Sequence, residues 1–354
     1  MLMVNSDLEP ILPPPVPVQP EPGVELFTHI QPLWQRMYED CAAAKESIYF
    51  EQYILSHDEI GTAFLKLFGE KAREGVKLHL TFDYIGSRDI YSSELVEAIR
   101  AGGGRVRFYN VLRPRDILRP RRWLPRNHCK TLIVDGRIAY VGSACVADSM
   151  KDWRDFHLRL FDIPIPGLIE GTRADAKAPY RYMTHNPRQK PNPIYDEFLR
   201  QIGAAKETVY IVTPYFFPPY AVRRAMRDAV KRGVNVTIML SKKSDVPMFT
   251  FFSRSYFPWL INRGIKIFYY TQSVLHAKYA VIDDDWAMLG STNVDYLSLR
   301  YNREGNLMIT DLDTVRSLKG IFEMDMGLCE KADKDPGIFL KIFMPLVRVI
   351  RKWL

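Results

Sequence analysis

Two histidine–lysine pairs stand at matching places in this 354-residue chain. His128 and Lys130 are followed by Asp135, Gly142 and Ser143, and His276 and Lys278 by Asp283, Gly290, Ser291 and Asn293. In both copies the Asp lies seven residues after the His and the Gly fourteen after it. On a strand, residues two apart share a face, so each His and its Lys project the same way. Two imidazoles, two ammonium groups, hydroxyls and an amide suit a phosphodiester. One neutral His can attack phosphorus, and the other can give its proton to the leaving alkoxide and later activate the acceptor. Lys130, Lys278 and Asn293 can hold the non-bridging oxygens.

No metal or cofactor is required by that chemistry. The neighbours of the histidines are lysines, which do not ligate and which repel a cation. Asp135 and Asp283 fall an odd number of residues from the histidines, at a turn, which suits a structural role. The carboxylates expected to orient the imidazoles are Asp155, 27 residues after His128, and Glu304, 28 after His276. They occupy equivalent places, in Trp153-Arg-Asp155 and Asn302-Arg-Glu304.

Other landmarks repeat in the same order. Lys45-Glu-Ser-Ile-Tyr49 matches Lys206-Glu-Thr-Val-Tyr210, Arg73-Glu-Gly-Val76 matches Lys231-Arg-Gly-Val234, and Gly104 to Tyr109 matches Gly264 to Tyr269. A period of about 150 residues means a twofold domain duplication rather than a solenoid.

The pattern His-x-Lys-x4-Asp-x6-Gly-Ser, present twice, resembles the HKD signature of the phospholipase D superfamily, over residues 24 to 325 or so. Trp153 to Arg159, Thr213-Pro-Tyr-Phe-Phe217 and the run His276 to Asn306 resemble the bacterial cardiolipin synthase branch. The resemblance implies an α/β fold: two tandem α/β/α sandwich halves, related by a pseudo-twofold, with a single active site between them. It also implies that His128 is the nucleophile and His276 the acid/base, an order the residues alone leave open. The implied reaction joins two phosphatidylglycerols into cardiolipin. One departure is Cys145, which stands where the second half has Asn293; Cys is a weak hydrogen-bond former.

The elements that must carry these residues follow from periodicity and breakers. In the first half, helices are expected over 30–44, 60–74 and 92–101. Strands are expected over 47–54, 76–83, 105–109 and 156–161, with a hairpin of 131–134 and 139–141. In the second half, helices are expected over 194–205, 217–232, 250–263 and 312–329, and strands over 208–213, 234–240 and 265–269. Strands alternating with helices indicate a layered sheet in each half. The boundaries are a Pro-rich arm over 1–23, a first half over 24–162, a Pro-rich linker over 163–193, a second half over 194–330 and a basic amphipathic segment over 331–354.

A net charge of +8 favours anionic partners. Residues 113–126 hold six arginines against one acid, with a Trp interleaved. Arg119, Arg121, Arg122, Trp123 and Arg126 are therefore expected at an anionic membrane or substrate. The C-terminal stretch mixes apolar residues with Arg348, Arg351 and Lys352, as an interfacial helix does. The aromatic run 248–260 reads equally as a buried helix face or a lipid-contacting surface. Nucleic acid would suit the arginines but not the hydrophobic C-terminus, so an anionic phospholipid is the expected partner. A lipid hydrolase or a nuclease of the same chemistry are the competing readings. No signal peptide and no bilayer-spanning apolar run is legible, and four scattered cysteines give no disulfide framework. The expected location is the cytoplasmic side of a bacterial cell membrane, held peripherally. Oligomeric state is not legible.

Overall fold

A computed structural model describes residues 23–333, apart from 117, 120, 121, 166, 169–176, 189 and 190. The first half is built on a seven-stranded sheet in the order β1-β7-β6-β5-β2-β3-β4. These strands are Gly23–His29, Ser47–Gln52, Lys77–Asp83, Arg105–Tyr109, Thr131–Val134, Ile138–Gly142 and Arg154–Phe161, numbered β1 to β7 along the chain. Helices α1 (Ile30–Ala43), α2 (Glu59–Arg73) and α3 (Glu94–Ala101) cover one face. The α2 sequence explains itself. Asp58 caps its first turn by accepting from Gly61 N at 3.0 Å, and Ile60, Phe64, Phe68 and Ala72 form its buried stripe. Gly75, at φ +89°, takes the left-handed turn that ends it. Gly233, at φ +93°, ends the corresponding helix of the second half.

The second half repeats the plan on an eight-stranded sheet, β17-β12-β11-β9-β13-β14-β16-β8, with β17 (Cys329–Lys331) and β8 (Tyr180–His185) at its edges. Its counterparts of β2, β3, β4, β5, β6 and β7 are β9 (Thr208–Val212), β11 (Asn235–Ser241), β12 (Lys266–Tyr270), β13 (Tyr279–Ile282), β14 (Trp286–Gly290) and β16 (Glu304–Ile309). Helices α4 (Pro193–Ala204), α5 (Tyr220–Lys231), α6 (Pro247–Arg254) and α7 (Phe257–Ile261) lie against its outer face. Two short paired strands, β10 (Phe216–Phe217) and β15 (Val294–Asp295), and helix α8 (Tyr296–Arg300) stand beside the motif. Helix α9 (Leu312–Met326) packs on the inner face.

The α/β architecture in two tandem, similarly wound halves agrees with the expectation. The inner faces of the two sheets meet in one shared core, where Val141, Phe156 and Leu158 join Tyr279, Leu289 and Leu307. Burial there removes apolar surface of both halves from water at once.

Some elements differ from expectation. The linker over 163–193 holds β8 (Tyr180–His185), which extends the second sheet by pairing with β16. One helix over 250–263 is instead α6 and α7, with Pro258 opening the second. Tyr256, Phe257 and Leu260 are buried in the core, which favours a buried helix face for that part of the aromatic run. At the other end, β17 (Cys329–Lys331) pairs with β12. Among the described residues, no helix is long and apolar enough to cross a membrane. The Pro-rich arm up to residue 22, and Arg121, Arg348, Arg351 and Lys352, lie outside the described residues.

Candidate active site

His128 and His276 are placed by backbone pairing between the halves. His128 N donates to Arg303 O and Arg303 N to Arg126 O, both at 2.8 Å. In mirror fashion His276 N donates to Arg154 O and Arg154 N to Val274 O, both at 2.8 Å. Each histidine segment is thus tied to the strand that carries the other half's carboxylate. The histidines and lysines sit just before β5 and β13 rather than within them.

The side chains cross in the same way. His128 Nδ1 lies 3.1 Å from Glu304 Oε2, and His276 Nδ1 lies 2.7 Å from Asp155 Oδ2. A carboxylate on Nδ1 fixes the tautomer and leaves Nε2 for chemistry. Ser143 donates to Asp155 and Ser291 to Glu304, so each motif serine steadies the carboxylate of its own half. All six groups are buried. The motif glycines are needed because the next strand passes so close. A Cβ on Gly142 would lie 2.4 Å from the His157 ring and 2.3 Å from Phe156 O, and one on Gly290 would lie 2.4 Å from Gly305 O.

The lysines lie beneath the histidines. Lys130 Nζ donates to His128 O at 2.7 Å, and Lys278 Nζ to His276 O at 2.6 Å. Only Lys278 also reaches its histidine ring, at 2.9 Å from Nε2. Burial pushes the His128 imidazole down to about 4, although Glu304 works in the opposite sense. Burial, then the Lys278 charge, lowers His276 as well, against the pull of Asp155. Lys278 is itself lowered to about 8 by burial. Burial works to raise Asp155, but His276, Lys278 and Ser143 hold it down to about 2. Without an anion in the site, both imidazoles are therefore neutral at neutral pH, and an arriving phosphodiester would raise both.

Both histidines face one cavity of about 390 Å³. Asn293 lines it from the second half and Cys145 from the first. Its opposite wall was not legible in the sequence. Tyr215 donates to Asp245 at 2.5 Å, and buried Asp295, raised to about 6 by burial, accepts from Ser298 N. Tyr53 packs its ring edge-on to His128 with centroids 5.0 Å apart. Tyr215 and Asp295 fall within the runs Thr213 to Phe217 and His276 to Asn306, which assigned them no role, and no motif or repeat spacing marks Tyr53 or Asp245.

Arg126, expected at an anionic membrane or substrate, lies in the cavity wall rather than on the exposed surface. It is buried, its Nε donates to Asp83 at 3.0 Å, and NH2 donates to the Tyr109 and Asn110 carbonyls. A guanidinium so enclosed braces the segment leading into His128 and borders the cavity. Arg119, Arg122 and Trp123 are exposed nearby, with Leu118 at 90% exposure. Asp135 and Asp283 sit away from the cavity at hairpin turns, each with positive φ. Asp135 accepts from the backbone N–H groups of Lys45, Glu46 and Ser47, and Asp283 from those of Lys206, Glu207 and Thr208. Among the described residues no cluster of three or more His, Cys, Asp or Glu side chains is arranged to hold a metal ion.

Comparison with known proteins adds to this geometry. A family model described as cardiolipin synthase, PLD-like domain, matches residues 198–326. Cardiolipin synthase 2 of Staphylococcus epidermidis is 30% identical over 336 residues, covering 86% of this chain and 68% of that protein. A cardiolipin synthase of Staphylococcus aureus is 29% identical over 341 residues, covering 88% and 68% respectively. The crystal structure of phosphatidylserine synthase from Haemophilus influenzae is similar in fold, with a TM-score of 0.72 over 94% of this chain and 95% of that one. At 12% identity, that last likeness speaks of fold alone.

Proposed function

The chain belongs to the cardiolipin synthase family of phospholipase D-like proteins, and on that premise we propose that it is a phosphatidyltransferase that joins two phosphatidylglycerols through a phosphohistidine. The observation that carries the reading is the crossed pairing. Two neutral imidazoles, each held through Nδ1 by the other half's carboxylate, turn toward one cavity large enough for a head group.

In the first step His128 Nε2 attacks phosphorus, and the bond from phosphorus to the head-group oxygen breaks. His276, protonated once the anionic diester is bound, gives its proton to the departing glycerol. In the second step neutral His276 takes the proton from a hydroxyl of the second phosphatidylglycerol. That oxygen attacks phosphorus and the P–N bond breaks, releasing cardiolipin. One difference between the halves supports His128 as the nucleophile: Lys278 lies 2.9 Å from His276 Nε2, whereas Lys130 reaches only the His128 carbonyl. Lys130, Lys278 and Asn293 would stabilise the phosphoryl oxygens. Asp245, Asp295 and Tyr215 offer hydrogen-bond partners to glycerol hydroxyls. No step draws on a metal.

Exposed Leu118, Arg119, Arg122 and Trp123 precede Leu124 and Arg126, which line the cavity, so a peripheral contact with anionic lipid would bring substrate to its mouth. The test is incubation of purified protein with phosphatidylglycerol liposomes and a chelator. Cardiolipin plus glycerol is the expected result. Phosphatidic acid plus glycerol would make the protein a hydrolase, and no lipid product would overturn the lipid reading.

A further inference from the structure

The duplication makes one difference between the halves informative. In the second half, the inner face of β9, β11 and β12 is covered by α9, with Phe322 stacked on Tyr210 at 4.3 Å. Tyr210 corresponds to Tyr49 by the repeated sequence around it. In the first half no helix among the described residues covers that place, Tyr49 is 46% exposed, and a groove of about 800 Å³ opens there. This groove is separate from the catalytic cavity, with which it shares no lining residue.

The strand residues match this difference. Pairing aligns Tyr49 with His79, Glu51 with Thr81 and Thr81 with Arg107. The corresponding positions of the second half are Tyr210 with Thr237, Val212 with Met239 and Met239 with Phe268. Where α9 packs, the face is largely apolar; where no helix among the described residues packs, it is polar and basic. Such a face is built for water or a polar ligand rather than for a missing helix.

The charge is one-sided. Arg107, Arg188, Arg303 and His79 line the groove against Glu51 alone. Arg107 and Arg188 have no carboxylate partner among the described residues. Arg303 meets Glu51 at 3.1 Å, but its buried Nε has no hydrogen-bond partner there. Its counterpart Arg154 is satisfied by Asp325, a residue of α9, at 3.0 Å. Each arginine reaches the other half's face: Arg154 of the first half meets the anion that α9 supplies, while Arg303 of the second half reaches a first-half face on which no helix among the described residues supplies one. The ring of Tyr49, stacked on His79 at 4.6 Å, gives the groove a flat apolar floor beside the guanidinium groups.

We propose that this groove is a second anion site, which binds a phosphate ester through Arg107, Arg188 and Arg303. Guanidinium forks match phosphate geometry and are the usual means of holding it. The ester could come from a soluble phosphate or from the head group of an anionic lipid.

The test is calorimetric titration of the full chain with glycerol 3-phosphate, and separately with phosphatidylglycerol vesicles. Two sites are expected in the wild type, the catalytic cavity and the groove. Arg107→Glu/Arg188→Glu should weaken one of them by about tenfold or more and leave the other unchanged, which also reports that the variant is folded. Response to glycerol 3-phosphate would assign a soluble ester, and response to vesicles alone a lipid head group. Identical titrations of wild type and variant with both probes would overturn the proposal. The comparison is of binding between wild type and variant, so it stands or falls independently of the reaction proposed above.

Discussion

At the scale of single residues, the crossed pairs carry the most consequence. Matched offsets pointed to Asp155 and Glu304, but nothing in a linear spacing says that each serves the histidine of the other half. That exchange is a product of tertiary pairing, through Arg154 and Arg303. Asp155→Asn and Glu304→Gln are each expected to lose about 10- to 100-fold in kcat while keeping the fold. Glu304 raises the His128 pKa, so Glu304→Gln should also move the acid limb of the rate profile to lower pH. A purely structural role would leave that limb in place. Buried histidines give a second expectation. His128 and His157 are both lowered to about 4 by burial, and His276 is lowered too. Their stabilising contribution is whole above the unfolded value near 6.5 and is lost as pH falls toward 4. Asp295, raised to about 6, runs the other way, since its cost is felt as pH rises through 6. Urea unfolding should give lower stability at pH 5 than at pH 7, and a steeper fall in Asp295→Asn. Equal stability at the two pH values in both proteins would contradict this assignment.

At the scale of elements, most of each sheet was legible because its strands and helices carry clear periodicity and breakers. The 105–109 strand was read to the residue, and the hairpin around Asp135 to within one. Among the elements that escaped were β8, hidden in a Pro-rich stretch, β17, which pairs with β12, and β1, whose half-buried strand pairs with β7. Their place depends on a neighbour distant in sequence, which local pattern does not register. The break between α6 and α7 reflects Pro258, which the aromatic run concealed. The motif's Gly and Asp belong to this scale. Gly142→Ala and Gly290→Ala would push a methyl into the adjacent strand and should each cost about 1–3 kcal/mol. Asp135→Ala or Asp283→Ala strands three backbone donors and should cost about 1–3 kcal/mol. Thermal unfolding would show the loss, while the rate per folded Asp variant should stay near wild type. A large fall in that rate would move Asp135 and Asp283 into the chemistry.

At the scale of the whole molecule, the duplication has a thermodynamic consequence. The inner faces of both sheets form one core, and backbone pairs across the halves hold the histidines. Neither half can leave without exposing that core. Calorimetry should therefore find one transition with equal calorimetric and van't Hoff enthalpies, and two resolved transitions would contradict a shared core. The pseudo-twofold was legible from repeated residues; the first-half face that no helix among the described residues covers was not, because it is visible only when the two sheets are laid side by side.

The central claim is one site in which His128 attacks phosphorus and His276 handles the proton. It is tested most directly with phosphatidyl p-nitrophenol, whose leaving group needs no proton. His276→Ala should release nitrophenolate in a burst equal to the enzyme present, leaving one acid-labile phosphatidyl group that peptide mapping places on His128. His128→Ala should give neither burst nor adduct. An adduct on another residue, or a burst that survives in His128→Ala, would contradict the account.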